Sequence, residues 1–195
     1  STRPGARPVS VQQEMDRVMP VIEGLRGAPV PISIDPFKAA VLAAALAGGA
    51  QMVNDINALQ DAVAMHTVAA SNAAVCLMHM QGEPRTMQQE PEYQDVVAEV
   101  CAFLRGRIEA AMAAGIQRER IVADPGFGFG KTLAHNLDLL RNLAKLAELG
   151  VPVMAGLARK SMLGMLTGKE VGQRLPLDVH AECSRAASKA VDAPA

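Results

Sequence analysis

Short apolar runs alternate along this chain with longer stretches in which apolar residues recur every three or four positions. The short runs are almost continuously apolar, which is typical of strands covered on both faces in a parallel sheet. They predict five strands, at residues 30–35, 51–56, 74–79, 120–124 and 151–156. The stretches between them predict the helices that connect parallel strands.

Helical periodicity is clearest in three of these stretches. The first follows Ser10, and Gln13 stands where a capping box needs a Glu or Gln. We expect the second to end at Gly115 and the third at Gly150, because glycine commonly follows the last turn of a helix. A shorter alanine-rich helix is predicted from about residue 38 to residue 47. The three apolar stripes consist of Val11, Met15, Val18, Ile22 and Leu25, of Val97, Val100, Leu104, Ile108 and Met112, and of Leu133, Leu137, Leu140 and Leu143.

Two architectures fit repeated strand–helix units: an open doubly wound sheet and a closed (β/α)8 barrel. Polar residues at the carboxyl ends of the predicted strands favour the barrel, because its active site is built there. They are Asp35, Asn54, His79 and Asp124, with Arg159 and Lys160 just beyond the fifth strand. A complete barrel needs eight strands and about 250 residues. The chain begins without Met in a loop-like segment, so we expect an incomplete barrel with about five units.

Composition narrows the functional classes. Half of the 195 residues are apolar, a fifth are charged and the net charge is −1, which indicates a folded domain without a basic face for nucleic acid. Three widely spaced cysteines indicate free thiols in a reducing compartment, and the start shows no secretory signal, so we expect a cytoplasmic protein. The longest apolar run, 39–50, is too short to cross a bilayer.

The richest segment is 124–132, which reads DPGFGFGKT. Its last three residues suggest a P-loop, but Pro125 stands where that motif requires glycine. We therefore interpret the segment as a glycine-rich loop after a strand. Asp124 supplies a fixed carboxylate, and Phe127 and Phe129 on a mobile glycine backbone supply apolar walls. This combination suits a flat heteroaromatic ligand.

The other polar strand ends have ordinary structural explanations as well. Asp35 and Asn54 could have a purely structural role in turns. Together with Asp124, however, they offer hydrogen-bond acceptors and a donor that can bind the amino and amide edge of a guanine-like ring. The pair Arg159 and Lys160 precedes a predicted helix, where cations oppose the helix dipole. An anionic or carbonyl-bearing ligand explains the pair, and a solvated basic pair remains the alternative. We interpret His79 as a packed loop residue.

Six segments in this order resemble the dihydropteroate synthase family. The resemblance runs from residue 1 to about residue 174, and the combination of the fourth and fifth segments is highly specific. We expect residues 175–195 to form a divergent, helical tail. The six segments are STRPGA at 1–6, SID at 33–35, NDI at 54–56, MHMQGEPRTMQ at 78–88, DPGFGFGKT at 124–132 and RKSMLG at 159–164.

The resemblance implies a (β/α)8 barrel, usually a homodimer, that joins 6-hydroxymethyl-7,8-dihydropterin diphosphate to p-aminobenzoate with Mg2+ and releases diphosphate. Asp124 and Asn54 would bind the pterin ring, and Asp35 would act close to it. Lys160 would contact the pterin and the aminobenzoate pocket. Phe129 and Ser161 would line the aminobenzoate site, which is also where sulfonamides bind. A loop containing Thr2, Arg3 and Pro4 would close over this site. Asp35, Lys160 and Arg3 would be the catalytic residues.

The chain also departs from the family pattern. The family's Asn ligand for Mg2+ would precede Ser1, and its diphosphate-binding Arg-x-His would follow Ala195, so no metal ligand is assigned in this chain. Pro36 replaces the usual Thr, and Ala158 replaces a Ser. These departures predict a nearly complete pterin pocket and little synthase activity. One alternative is a pterin-binding remnant without catalysis. The other is a pterin-dependent corrinoid methyltransferase, and the segments STRPG and RKS argue against this second alternative.

Overall fold

The structure is a computed structural model that describes residues 9–36, 38–84 and 86–174. Its strands are β1 (Ser33–Ile34), β2 (Met52–Asp55), β3 (Ala74–Met78) and β4 (Ile121–Asp124). Its α-helices are α1 (Val11–Gly24), α2 (Ala39–Gly48), α3 (Ala62–Ala69), α4 (Val96–Ala113), α5 (Leu133–Arg141), α6 (Leu143–Ala147) and α7 (Ser161–Thr167), with short 3-10 helices at Arg118–Arg120 and Val171–Gln173.

The four strands form one parallel sheet in the order β1-β2-β3-β4. Val53 pairs with Ile34 on one side and with Val75 on the other, and Val75 pairs with Ile121. A doubly wound sheet reverses its strand order at a switch point. The described strands instead follow the chain order without reversal, as in an arc of a barrel.

The predicted fifth strand is much shorter than expected. Ala123 donates to the Pro152 carbonyl at 2.9 Å and accepts from the Met154 N–H at 2.8 Å, which forms a single parallel bridge to Val153. Extending this ladder in either direction would require an N–H from Pro152 or from Pro125, and proline has none. The prediction of a strand over 151–156 was therefore wrong in extent. The first strand is also short, because Pro31 and Pro36 flank it.

The helices form where they were predicted, but each apolar stripe departs from its prediction. In the first, Val11 and Leu25 are exposed, and Leu25 follows the end of α1. Ser10 and Gln13 form the predicted capping box at the start of α1. In α4, Met112 is 39% exposed, and Ala111 takes the core position at that turn. The third stripe does not form one helix. It divides at Asn142, whose side chain donates to the Asp138 carbonyl at 2.8 Å. Polar side chains that bond to the nearby backbone compete with helix hydrogen bonds.

The core lies between the sheet and its helices. Val53, Val75, Leu77, Ile121 and Ala123 are fully buried at the centre of the sheet. The helices contribute Val100 and Leu104 from α4, Leu139 from α5 and Leu146 from α6, each with no exposed surface. No helix within the described residues is long and apolar enough to cross a membrane.

Candidate active site

The predicted site residues meet at the carboxyl ends of the strands. Asn54 pairs with Cys76 of β3, and Asp124 pairs with Met78 two positions further along the same strand. Burial raises the pKa of the Cys76 thiol, and the charges of Asp124, Asp35 and Asp55 raise it further. The charges of strands β1, β2 and β4 therefore converge near the end of β3.

Asp124 lies within this cluster and is only 6% exposed. Its Oδ1 accepts a hydrogen bond from the Gly126 N–H at 2.8 Å, which starts the turn of the glycine-rich loop. Its charge also raises the pKa values of Lys131 and Lys160, which burial lowers. The Asp124 carboxylate therefore lies near enough to both lysines to favour their charged forms, and the Gly126 N–H sets its orientation.

Asn54 contains the one buried side-chain nitrogen or oxygen atom without a hydrogen-bond partner that is found among the described residues. Its Oδ1 has almost no accessible surface and accepts no hydrogen bond. An unsatisfied buried polar group costs about 1–3 kcal/mol. Unpaired groups of this kind in a folded protein call for an explanation, and a ligand that supplies a donor is one. This atom makes Asn54 a candidate for ligand binding rather than for turn formation.

The neighbouring Asp55 forms the turn instead. Its carboxylate accepts hydrogen bonds from the N–H groups of Asn57 and Leu59, both at 2.9 Å. Ala58 and Leu59 both have positive φ values, 51° and 52°, a conformation that costs free energy for residues other than glycine. Arg107 of α4 stabilises this turn by donating to the carbonyls of Ala58 and Leu59 at 2.8 and 2.6 Å. The strand end that carries Asn54 is thereby fixed from two sides.

Asp35 follows β1 and is exposed to solvent. Nevertheless, the protein around its carboxyl group raises its pKa, and the charges of Asp55 and Glu14 add to the rise, while Lys160 opposes it. The large exposed area indicates that solvent still reaches one side of the carboxyl group. Asp35 is an acidic group at the edge of the cluster.

Lys160 immediately precedes α7 and is half-buried. Its Nζ lies 4.4 Å from the centre of the Phe129 ring, within the range of a cation–π interaction. Burial lowers its pKa, and Asp124 and Asp35 oppose the shift. The structure therefore brings Lys160, Phe129, Asp124 and Asp35 together. Ser161, the exposed first residue of α7, lines a cavity of about 140 Å³ together with Gly128 and Gln88.

The glycine-rich loop differs from its sequence prediction in two respects. Phe127 is 1% exposed and belongs to the core, so it cannot form a wall of a ligand pocket as predicted. The loop backbone is also held at several points, although glycine-rich composition suggested mobility. Asn136 accepts from the Gly128 N–H at 2.8 Å, and Tyr93 donates to the Gly130 carbonyl at 2.9 Å.

Sequence reasoning missed Lys131, which is the most buried lysine among the described residues at 3% exposure. Its Nζ contacts Nδ1 of His79 at 3.0 Å and the carbonyls of Gly126 and Phe129 at 3.0 and 2.9 Å. His79 is the packed loop residue that the sequence predicts, with its ring 4.9 Å from that of Phe103. The only sequence feature that points to Lys131 is its place near the end of the glycine-rich segment 124–132, where the same residue also suggests a P-loop.

The environment of His79 predicts a pH-dependent stability. Burial and the Lys131 charge lower the His79 pKa from 6.5 to about 3. Between these values the unfolded chain binds a proton that the folded chain does not, so the free energy of unfolding falls as the pH is lowered below 6.5. We expect His79→Gln to weaken this dependence, since the Gln oxygen can still accept from Lys131.

Urea unfolding at pH 7, 5.5 and 4.5 measures this effect. The raised pKa values of Asp35 and Asp55 act in the opposite direction, so the comparison must be made with the variant and not with the pH profile alone. His66→Gln, at an exposed position on α3, is the matched control. Equal pH profiles for wild type and His79→Gln would contradict the assignment of a neutral, buried His79.

Two parts of the predicted site remain outside this geometry. Thr2, Arg3 and Pro4 lie outside the described residues. Among residues 9–36, 38–84 and 86–174, no group of three or more His, Cys, Asp or Glu side chains could hold a metal ion. The described site therefore offers a buried carboxylate, an unpaired amide oxygen and a cation–π pair.

Comparison with known proteins places this geometry in context. The family model described as "Pterin binding enzyme" matches residues 1–193. Dihydropteroate synthase of Haemophilus influenzae is 48% identical over 176 residues, which are 90% of this chain and 64% of the relative. That of Neisseria meningitidis serogroup C is 49% identical over 172 residues, 87% of this chain and 61% of the relative. The chain thus spans slightly less than two thirds of these curated relatives.

Solved structures show the same similarity in three dimensions. Xanthomonas albilineans dihydropteroate synthase with 4-aminobenzoic acid is 50% identical and has a TM-score of 0.87. The aligned region covers 94% of this chain and 66% of the Xanthomonas chain. The Yersinia pestis enzyme in a sulfonamide drug complex has a TM-score of 0.86 and 45% identity, with 90% and 64% covered. These values confirm that the described sheet and helices are part of a (β/α)8 barrel.

Proposed function

The chain belongs to the pterin binding enzyme family, and we propose that it provides the pterin-binding and aryl-amine-binding residues of a dihydropteroate synthase. The reaction joins 6-hydroxymethyl-7,8-dihydropterin diphosphate to p-aminobenzoate in folate biosynthesis. The solved relatives include complexes with 7,8-dihydropteroate and with 4-aminobenzoate, which supports these substrates for the site.

The unpaired Oδ1 of Asn54 is the observation that supports this function most strongly. A pterin ring carries amino and ring N–H donors along one edge, and a buried amide oxygen beside a buried carboxylate can accept from them. Asp124 supplies that carboxylate and is already oriented by Gly126. Ligand binding would therefore satisfy an atom that the protein alone leaves unsatisfied.

The chemistry requires a nucleophile, an electrophile and a leaving group. The lone pair of the aryl amine forms a bond to the methylene carbon of the pterin, while the bond from that carbon to the diphosphate oxygen breaks and its electron pair leaves with diphosphate. The amine then loses a proton to water. Positive charge develops on the methylene group and the ring, and the carboxylates of Asp124 and Asp35 stabilise it.

Lys160 and Phe129 would orient the second substrate. The flat ring of p-aminobenzoate can stack near Phe129 while the Lys160 ammonium contacts its polar groups or the pterin. Ser161 is exposed at the same place, and we assign Arg3, Thr2 and Pro4 to the loop that covers the ring. The aryl amine is already a nucleophile, so the site contributes mainly by orientation, which can supply about 7–11 kcal/mol of barrier reduction.

Four further properties are part of the proposal. We infer that the complete site uses Mg2+ to neutralise diphosphate. The described residues supply no cluster for it, so none of the steps above depends on the metal. We also infer a homodimer, a cytoplasmic location and inhibition by sulfonamides, following the resemblance of residues 1–174 to the synthases. The sulfonamide complex of the Yersinia pestis relative supports the last of these.

The test is product formation by the full chain with Mg2+, dihydropterin diphosphate and p-aminobenzoate, followed by chromatography of 7,8-dihydropteroate. We expect the chain to bind pterin and to form product only slowly, because the diphosphate-binding residues of the family lie outside it. Any product should require both substrates, and a sulfonamide should suppress it. Normal pterin binding without any product would indicate a pterin-binding role without catalysis. Absence of pterin binding would contradict the proposal as a whole.

A further inference from the structure

Lys131 is a buried cation that the chemistry proposed above does not use. Four acceptors surround its Nζ: Nδ1 of His79 and the carbonyls of His79, Gly126 and Phe129, at 2.9–3.4 Å. An ammonium group has three protons. All of them are directed to the protein, so none remains for a substrate, and Lys131 can influence a reaction only through the groups that it holds.

These groups are the glycine-rich loop and the end of β3. The loop lies so close to that strand end that a Cβ at Gly126 would overlap the His79 carbonyl oxygen, and one at Gly130 would overlap the Gln81 carbonyl oxygen. Lys131 joins the same two segments by hydrogen bonds. The ammonium thus adds to the backbone bonds already present there, from His79 N–H to the Asp124 carbonyl and from Phe129 N–H to the Gly126 carbonyl.

Other side chains hold different atoms of this loop. Asn136 and Gln88 bond to the N–H and carbonyl of Gly128, and Tyr93 bonds to the carbonyl of Gly130. Lys131 holds the carbonyl of Phe129 itself, the residue whose ring lies 4.4 Å from Nζ of Lys160. The position of that ring relative to Lys160 therefore depends on Lys131 more directly than on the other three.

We propose that Lys131 is a positioning residue for the aryl-amine half of the site: it fastens residues 126–130 to His79 and so fixes the Phe129 ring against Lys160. This inference rests on the proposed function, because Phe129 and Lys160 are assigned there to the second substrate. The pterin half depends on Lys131 far less, because Asn54 lies on β2 and Asp124 is oriented by the Gly126 N–H and not by Lys131. Loss of the lysine should therefore weaken ligand binding in the aryl-amine half and leave binding in the pterin half nearly unchanged.

The groups around Lys131 determine its charge state. Burial lowers the pKa of Lys131 to about 7, Asp124 opposes the shift and Lys160 adds to it. His79, Asp124 and Lys160 are the titratable groups that face it from β3, β4 and the segment before α7. The four acceptors match an ammonium and not an amine, so we assign the charged form up to neutral pH.

Two ligands distinguish the halves of the site. We would titrate the full chain and its Lys131→Met variant with 6-hydroxymethylpterin, which occupies only the pterin half, and with 7,8-dihydropteroate, which occupies both. We expect Lys131→Met to weaken dihydropteroate binding by about 10-fold or more, because the contacts of Phe129 and Lys160 to its second ring lose their geometry. Binding of the pterin alone should change by less than about 3-fold, because the Gly126 N–H still orients Asp124. Lys145→Met, at an exposed position on α6, is the matched control and should match wild type.

Lys131→Arg completes the test, because it keeps the charge but cannot reproduce the four bonds of the ammonium. We expect its dihydropteroate affinity to lie between those of wild type and Lys131→Met. If Lys131→Met does not fold, the comparison of Lys131→Arg with wild type decides. Equal losses for both ligands, or wild-type dihydropteroate affinity in a folded variant, would overturn the inference. A wild-type chain that binds neither ligand would instead contradict the proposed function.

Discussion

Replacing Asp124 by Asn is expected to weaken pterin binding by about 10- to 100-fold, which corresponds to about 1.5–3 kcal/mol for a charged hydrogen bond. The amide oxygen of Asn can still accept from the Gly126 N–H, so the turn of the loop is preserved. What disappears is the negative charge that acts on the two lysines and that we propose to face the pterin. We expect the free energy of unfolding to change by about 1 kcal/mol or less, because Lys131 keeps its bonds to His79, Gly126 and Phe129 and the Asn amide keeps the bond to Gly126.

Calorimetric titration with 6-hydroxymethylpterin and urea unfolding of the same samples measure the two effects separately. Asp138→Asn is the matched control, since that carboxylate is 53% exposed on α5 and pairs only weakly with Arg141. A variant of Asp124 that binds pterin normally but unfolds much more easily would show that Asp124 is a structural residue.

Gly126→Ala is expected to have the largest effect on folding. Gly126 has a φ of +68°, and a Cβ there would overlap the His79 carbonyl oxygen and lie 3.1 Å from its carbon. Backbone strain and overpacking each cost about 1–3 kcal/mol, so we expect a loss of about 3–5 kcal/mol in the free energy of unfolding. The loop must move away from β3, and pterin and dihydropteroate binding should weaken together.

Urea unfolding of Gly126→Ala beside Gly106→Ala tests this expectation. Gly106 lies in the middle of α4, with no atom within 4 Å of an added Cβ. Alanine should stabilise that helix by about 0.5–1 kcal/mol. Two variants of similar stability would mean that the loop does not lie against His79 as described.

The sequence predicted the parts of the fold that depend on local patterns. The capping box at Ser10 and the stripe of Val97, Val100, Leu104 and Ile108 depend on neighbouring residues, and both are present. The continuous apolar runs also located β2, β3 and β4 to within one residue at most ends. The extent of the fifth strand was not predictable from its own composition, because it depends on two prolines in different segments, Pro125 and Pro152.

The candidate site shows a similar division. Strand-end positions identified Asp35, Asn54 and Asp124, since the carboxyl ends of parallel strands meet at one edge. The roles of the other residues near the site could be assigned only from their burial and contacts in the folded protein. Phe127 and Phe129 stand two residues apart in the same motif, yet one is core and the other lies under Lys160. The four contacts of Lys131 come from two segments about 50 residues apart, which no local pattern reports.

The most direct test of the central claim is titration calorimetry with 6-hydroxymethylpterin on wild type and on Asn54→Leu, together with urea unfolding. Leu has a similar volume and removes a buried oxygen that has no partner among the described residues. We predict saturable binding to wild type, no detectable binding to Asn54→Leu, and a free energy of unfolding at least as high in the variant, because the unsatisfied group costs about 1–3 kcal/mol. Wild-type pterin affinity in Asn54→Leu would contradict the account.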